Sequence, residues 1–161
     1  MDEEFTQWAV AHERELVRTA YLLTGDRHRA EDLVQEALVK VALRWSRLRT
    51  GNPGGYARTI LVRDNISWWR RRREYPTDLA PDEAAVTSDP EAALLVRRAL
   101  ARLTPAQRAV LVLRHLDDLS ERATAEVLQV SVGTVKSQNA AALARLRDGA
   151  PELLELIGGT R

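Results

Sequence analysis

The sequence predicts an all-α protein with two small helical domains, 1–74 and 92–161, joined by an acidic flexible linker at 75–91. Apolar residues recur at helical spacing through both outer segments, and no pair of alternating apolar runs flanks a hairpin turn. The charge is also uneven. Residues 1–74 carry 14 basic and 11 acidic side chains, residues 75–91 carry no basic and five acidic ones, and residues 92–161 carry 10 and seven. An anionic spacer therefore separates two mildly basic blocks.

Three helices are predicted in the first domain. Asp2 can cap a helix that Gly25 closes, with an apolar stripe formed by Phe5, Trp8, Ala9, Leu16, Ala20 and Leu23. Asp26 can cap the second helix, whose apolar side holds Ala30, Leu33, Val34, Ala37, Leu38, Val41 and Trp45. The glycines and proline of Gly51–Gly55 predict a loop. A third helix is then expected over Tyr56–Arg73, burying Ile60, Leu61 and Ile66.

Helices resume after the linker. Prolines and acidic residues over 75–90 predict an extended segment. The following pattern predicts helices over Glu91–Leu103, Pro105–Leu116, Glu121–Leu128 and Val132–Arg147. Thr104, Ser120 and Ser131 stand where N-caps belong, and Pro105 suits a first helical position. One more short turn is expected in the tail, 150–161.

Composition excludes several classes of protein. Apolar residues make up 45% and charged residues 29%, and no apolar run approaches the about 20 residues of a bilayer-spanning helix, so we expect no membrane insertion. The acidic start is unlike a secretory signal, and the lack of cysteine fits a reducing cytoplasm. His12, His28 and His115 lack metal-ligand spacing. With no phosphate-binding loop or nucleophile motif either, we expect neither an enzyme nor a bound metal or cofactor.

The stretch from Asp118 to Arg147 is the most informative segment. It predicts a short helix, a tight turn at Gln129 and a second helix, which is a helix-turn-helix. Small polar and cationic side chains lead the second helix and suit a DNA major groove. The candidate DNA-binding residues are Thr134, Lys136, Ser137, Gln138, Asn139 and, for phosphates, Arg145. A plain helical hairpin is the alternative. Gln129 sits at the turn, where glycine is most at home, and a positive φ there would cost about 1 kcal/mol for a residue other than glycine. Thr124 is small for its core position.

Two other surfaces are ambiguous from the residues alone. Arg70, Arg71, Arg72 and Arg73 spread around a full helical turn, which favours phosphate or single-stranded nucleic acid as their partner. Helix-dipole complementation and core burial of Trp68 and Trp69 are the alternatives. On the second helix, Asp32, Gln35 and Glu36 share a polar face that by itself reads as solvated.

Four blocks in this order resemble the extracytoplasmic-function (ECF) family of RNA polymerase sigma factors, and actinobacterial members in particular. They are Y-L-L-T-G-D-R-H-R-A-E-D-L-V-Q-E-A at 21–37, Y-A-R-T-I-L-V-R-D-N-I-S-W-W-R-R-R-R at 56–73, L-T-P-A-Q-R-A-V-L-V-L-R at 103–114, and D-L-S-E-R with S-V-G-T-V-K-S within 118–137. The resemblance covers nearly the full length.

The resemblance assigns the ambiguous residues. It implies that Asp32, Gln35 and Glu36 dock on core RNA polymerase, and that helix Val132–Arg147 reads the −35 promoter element as duplex. The loop Arg47–Gly55 and the helix after it would capture unstacked −10 bases, with contacts from Arg63, Asn65, Trp68 and the arginines at 70–73. Arg63 and Gln138 depart from the residues common in the family, so the resemblance does not fix the promoter sequence.

The implied partners are bacterial RNA polymerase core and promoter DNA, and the resemblance leaves an anti-sigma protein open as a third. We expect a cytoplasmic protein that is monomeric when free. The main rival is a polymerase-independent helix-turn-helix regulator, which would need a dimer and a palindromic site. A helical interaction adaptor is a third reading.

Overall fold

The computed structural model describes residues 2–74 and 90–158, and across these residues every regular element is helical. The chain divides into two compact units, Met1–Ala84 and Ala85–Arg161. The all-α prediction is confirmed. Most of the predicted linker, at 75–91, lies outside the described residues, so its extended character and the proposed boundaries stay predictions.

The first unit begins with two capped helices. Helix α1 spans Glu3–Thr24, and the Asp2 carboxylate accepts a hydrogen bond from the Glu4 amide at 2.9 Å. The helix ends at Gly25, whose φ of 70° is left-handed and suits glycine. Asp26 then accepts from the Arg29 amide at 3.1 Å and caps α2, Arg27–Leu43.

The segment after α2 is more helical than predicted. A four-residue helix, α3, spans Trp45–Leu48, where the sequence predicted the second helix to run into a loop. Helix α4 spans Pro53–Glu74 and begins three residues before the predicted start at Tyr56. The reason is a cap: Asn52 Oδ1 accepts from the Gly55 amide at 2.8 Å, while Pro53 tolerates the first helical position. The predicted loop over Gly51–Gly55 is therefore wrong for its last three residues.

Helices α1, α2 and α4 pack pairwise around the core of this unit. Leucine and valine dominate the fully buried side chains: Leu23, Leu33, Val34, Val41, Leu61 and Val62. Burying one such side chain is worth about 1.5–3 kcal/mol relative to exposure. Ile66 is only half-buried, in contrast to the prediction. Aromatic rings close one end, where Phe5 and Trp8 lie 5.5 and 5.6 Å from the Trp45 ring.

The second unit opens with α5, Pro90–Ala101, and α6, Pro105–Leu111. Thr104 and Gln107 form a reciprocal capping box, with bonds of 3.1 and 3.2 Å. The predicted single helix to Leu116 is instead completed by a π-helical turn, Val112–Leu116. After it, Asp118 adopts a φ of 52°.

Three further helices complete this unit: α7, Glu121–Leu128; α8, Val132–Gly149; and α9, Pro151–Gly158. The tail is thus a two-turn helix rather than the single short turn predicted. Helix α8 packs on α6, α7 and α9. Among the described residues of the unit, the largest fully buried side chains are Val110, Leu111, Val112, Leu113, Val135 and Leu146.

Arg108 and Thr124 are two of the polar residues that lie inside this second core. Arg108, for which no sequence pattern predicted burial, is 7% exposed, and its Nη2 donates to the Leu100 carbonyl at 2.7 Å. Burial lowers the pKa of Arg108 to about 10. Thr124 is fully buried, as expected for a core position, and its hydroxyl finds no hydrogen-bond partner among the described residues.

Candidate nucleic-acid interface

The helix-turn-helix is built around a left-handed residue. Gln129, at the turn, has φ 55° and ψ 46°, a conformation that glycine adopts most readily. Its amide donates to the Glu126 carbonyl at 3.3 Å, and the Val130 amide donates to Ala125 at 3.1 Å. This is a Schellman motif, which ends α7 and turns the chain. Ser131 then caps α8 by accepting from the Thr134 amide at 3.0 Å.

Side chains from three helices fix the two helices of this motif against the rest of the unit. Val110 of α6, Ala125 of α7 and Val135 of α8 form one buried cluster, and the partly buried Leu128 packs against it. Since Ala125 is small, α7 and α8 can approach closely. Val135 thus holds the first turns of α8 on the core, and the opposite side of these turns is exposed.

Three predicted DNA-binding residues lie together at that exposed end: Thr134, Lys136 and Ser137. The Lys136 ammonium is only 3.8 Å from the Glu121 carboxylate, a loose and exposed pair that costs little to break. Ser137 Oγ donates to the Gly133 carbonyl at 3.1 Å and keeps its lone pairs as acceptors. Gln138 is half-buried beside them.

Asn139 and Arg145 each form a hydrogen bond within the unit. Asn139 shares the inward stripe of Val135 and Ala142, and its Oδ1 lies 2.9 Å from Nε2 of His115. Arg145 is exposed, yet its Nη1 donates to the Arg102 carbonyl at 2.7 Å. Asn139 is therefore engaged inside the unit, while Arg145 retains further N–H donors for a phosphate. The sequence already held a signal for this difference, because positions 135, 139 and 142 recur at helical spacing and so place Asn139 on the buried side of α8.

A second basic surface follows α4. Arg63, Arg70, Arg71 and Arg73 are exposed, and Arg72 is half-buried. Arg63 and Arg70 are seven residues apart and share one side of the helix with Tyr56, which the sequence analysis missed. The Tyr56 hydroxyl accepts a hydrogen bond from Arg44 Nη1, and the Arg44 guanidinium lies 5.6 Å from the Tyr56 ring centroid. The exposed face thus combines cations with one aromatic ring.

Asn65, which the resemblance implied as a base-contacting residue, does not lie on that face. It is 2% exposed, and its Nδ2 donates to the Leu23 carbonyl at 3.2 Å, joining α4 to the end of α1. In the free chain, this side chain is therefore engaged inside the unit. The helical period explains the placement, since Asn65 falls on the same side as Leu61 and Ala57.

Trp68 is half-buried and already stacked on cations. The Arg29 guanidinium lies 4.8 Å from its ring centroid and that of Arg72 lies 5.0 Å away, while Trp69 meets it edge-on at 5.1 Å. Trp68 is therefore neither fully buried in the core nor free to stack on an unpaired base, so neither interpretation describes it fully. Trp68 is instead a platform for arginines at the end of α4.

The predicted docking residues Asp32, Gln35 and Glu36 are all exposed on α2. Val39 and Leu43 continue the same face one and two turns later, and they are 59% and 80% exposed. These apolar residues were not singled out from the sequence, although their i, i+4 spacing was a readable signal. The face therefore offers acidic acceptors beside an exposed apolar strip, as a protein-binding surface does.

Two other kinds of site are absent from the described part of the chain. Within 2–74 and 90–158, no group of three or more histidine, aspartate or glutamate side chains could hold a metal ion. No helix there is long and apolar enough to cross a membrane.

Comparisons with known proteins match both units. Residues 8–75 match the family model for sigma-70 region 2, and residues 93–146 match that for sigma-70 region 4. The chain is 37% identical over 150 residues to an RNA polymerase sigma-E factor of Streptomyces avermitilis, spanning 90% of the chain and 84% of the relative. It is 34% identical over 146 residues to the ECF sigma factor SigM of Mycobacterium tuberculosis, spanning 88% and 74%.

A solved structure of a sigma factor has a similar fold. The sigma factor RpoE of Bartonella quintana, crystallised with the anti-sigma factor NepR, superposes with a TM-score of 0.71 at 27% identity, covering 91% of this chain and 96% of that one. The chain therefore belongs to the ECF family of RNA polymerase sigma factors, which direct promoter-specific initiation of transcription by RNA polymerase.

Proposed function

We propose that this chain contacts its promoter twice, reading the −35 element as duplex through α8 and trapping melted −10 bases along α4, while α2 docks on core polymerase. The observation that carries the proposal is the exposed start of α8, where Thr134, Lys136 and Ser137 project beyond a capped helix-turn-helix. A polar helix end presented in this way fits a major groove.

For the −35 element, the favoured contacts are Lys136 and Ser137, with Thr134 and Gln138 at their flanks. Lysine donates to guanine or phosphate, glutamine can pair with adenine, and hydroxyls accept several partners. Arg145 is proposed to contact a phosphate through the N–H groups of its guanidinium that do not bond to the Arg102 carbonyl. Asn139 is proposed to support α8 from inside rather than to read a base.

For the −10 element, we favour the exposed face of Arg63 and Arg70, together with the exposed Arg71 and Arg73. Guanidinium groups along one helix can follow the phosphates of a separated strand. A protein that binds the unpaired strand better than the duplex shifts the melting equilibrium by mass action, so no ATP is needed. Asn65 supports the helix that carries these groups.

For polymerase docking, we favour Asp32, Gln35 and Glu36, extended by the apolar Val39 and Leu43. The carboxylates would accept hydrogen bonds from cationic side chains of the polymerase, and the apolar strip would lose its water on contact. An anti-sigma partner for this chain is a further proposal, and it rests on the likeness to a sigma factor that was crystallised with one.

The test is promoter selection in vitro. The chain would be mixed with actinobacterial core polymerase, and a pool of promoters with randomised upstream sequence would be transcribed and sequenced. We expect enrichment of a −35 and a −10 motif at fixed spacing. Lys136→Ala should relax preference in the −35 motif alone and weaken binding by about 1–3 kcal/mol for the lost base contact.

Arg98→Ala provides the matched control, because it removes one exposed positive charge from α5, outside the helix-turn-helix. Its selected motifs should equal those of the wild type. Enrichment of one palindromic site without core polymerase would instead support the polymerase-independent regulator. Identical motifs for Lys136→Ala and the wild type would contradict the proposed reading by α8.

A further inference from the structure

The beginning of α2 and the end of α4 meet through a guanidinium and an indole. The Arg29 guanidinium lies 4.8 Å from the Trp68 ring centroid, and the Arg72 guanidinium lies 5.0 Å from the same ring and 5.7 Å from that of Trp69. Arg29, Trp68 and Arg72 are all half-buried. A guanidinium over an indole is attracted more strongly where water is partly removed. Arg29 therefore helps to hold the last turns of α4 against α2.

Arg29 also belongs to the polar side of α2 that carries the docking carboxylates. Asp32 follows it by three residues and Glu36 by seven, so the three side chains lie about one turn apart along one side of the helix. Burial lowers the pKa of Arg29, the negative charges of Glu36 and then Asp32 counteract this, and the nearby Arg71 adds to the lowering. The charge of Arg29 thus stands between an acidic face and a basic helix end.

We propose that Arg29 is a positioning residue that couples the polymerase-docking face of α2 to the DNA-binding end of α4. Its stacking fixes Trp68, which in turn orients Arg72 and the basic turn around it. This inference rests on the proposed function of both surfaces, and it adds a link between them. Trp68 then serves as a support for arginines and not as the ring on which a base stacks.

The coupling through Arg29 predicts that docking on polymerase strengthens the binding of single-stranded DNA. In the free chain, Glu36 and Asp32 partly offset the positive charge at Arg29. Polymerase groups that pair with those carboxylates would withdraw this offset and raise the positive potential at the end of α4. Single-stranded DNA should then bind the docked chain more tightly, and by reciprocity DNA should strengthen docking by the same factor.

The first experiment measures binding by the holoenzyme formed from the full chain and core polymerase. Fluorescence anisotropy would follow a single-stranded oligonucleotide carrying the selected −10 sequence and, separately, a duplex carrying the −35 sequence. Arg29→Met should weaken oligonucleotide binding by roughly three- to tenfold, with −35 duplex and core binding unchanged. Arg29→Lys keeps the charge but loses the planar group, so its affinity should fall between the two.

Arg27→Met is the matched control. Arg27 lies two residues earlier on α2 and is exposed, and its Nε lies 3.0 Å from the Glu31 carboxylate. It should behave like the wild type in both assays. The proposal is overturned if Arg29→Met equals Arg27→Met. It is also overturned if core binding falls by the same factor as oligonucleotide binding, because Arg29 would then act only in docking.

The second experiment needs no polymerase. The full chain labelled with 5-fluorotryptophan would be studied by 19F NMR, with Trp68→Phe identifying the Trp68 resonance. Arg29→Met and Glu36→Gln should both shift that resonance while Trp8 and Trp45 stay in place, and dispersed resonances would show that each variant is folded. An unmoved Trp68 resonance in either variant overturns the coupling. Failure of wild-type chain to support transcription would instead refute the proposed function and leave this measurement intact.

Discussion

Replacing Gln129 with glycine should stabilise the C-terminal unit. Gln129 occupies the left-handed position of the Schellman motif that joins α7 to α8, at φ 55° and ψ 46°. An L-residue with a Cβ is strained there, whereas glycine is not. The Gln129 side chain is exposed and forms no hydrogen bond that the structure shows, so the substitution removes strain and little else.

The magnitude follows from two opposing terms. Left-handed backbone costs a residue with a Cβ about 1–2 kcal/mol. Glycine gives back about 0.5–1 kcal/mol through the greater freedom of the unfolded chain. We therefore expect the free energy of unfolding to rise by about 0.5–1 kcal/mol. For a domain of about 60–100 residues, this corresponds to an increase in Tm of about 2–8 °C.

The assay is native-state hydrogen exchange on the full chain, read at the amides of the buried Val135 and Leu146, which report on this unit alone. Gln129→Ala keeps the Cβ and should leave protection unchanged. Glu126→Gly places glycine within α7 and should reduce stability by about 1 kcal/mol. Protection in Gln129→Gly that is no greater than in Gln129→Ala would refute the strain argument.

Three further outcomes are expected. Thr124→Val replaces a buried hydroxyl that has no partner among the described residues, so thermal unfolding should show the second unit stabilised by about 1 kcal/mol; a loss of stability would reveal a bonded hydroxyl. Gly54→Ala should stabilise the first unit by about 0.5–1 kcal/mol, because the new Cβ would have only ordinary van der Waals contacts, at 3.6 Å or more. A Cβ at Gly55 would instead lie 2.5 Å from the Asn52 side chain, which caps α4. Gly55→Ala should therefore gain nothing in the same melting experiment, and equal gains would show that the cap is dispensable. Glu121→Gln removes the carboxylate 3.8 Å from Lys136, so anisotropy should show the −35 duplex bound about twofold more tightly at low salt and equally at high salt.

The sequence predicted the helices well where local chemistry decides them. Asp2, Asp26, Thr104 and Ser131 each accept the backbone hydrogen bond that an N-cap should accept. N-cap signals involve only three or four consecutive residues, so they can be recognised from the sequence alone. The family resemblance rested on the same kind of local pattern, and both family models and sequence relatives confirm it.

The burial of polar side chains was not predicted where it depends on contacts between helices. Asn65 and Asn139 are polar residues that tertiary packing turns inward, one onto the Leu23 carbonyl and the other onto His115. Arg108 is buried because the end of α5 brings a carbonyl to its guanidinium. Polarity alone predicts exposure for all three. Helical period, applied to every position of α4 and α8, would have flagged the two asparagines.

The most direct test of the account is a single-round run-off assay with core polymerase, one selected promoter and the full chain. We expect a transcript of defined start only when core and chain are both present. We also expect that mutating either promoter element lowers the transcript yield, and that replacing the arginines at 70–73 flattens the dependence of the yield on salt. Specific binding of the chain to that promoter without polymerase, together with no transcript in its presence, would contradict the account.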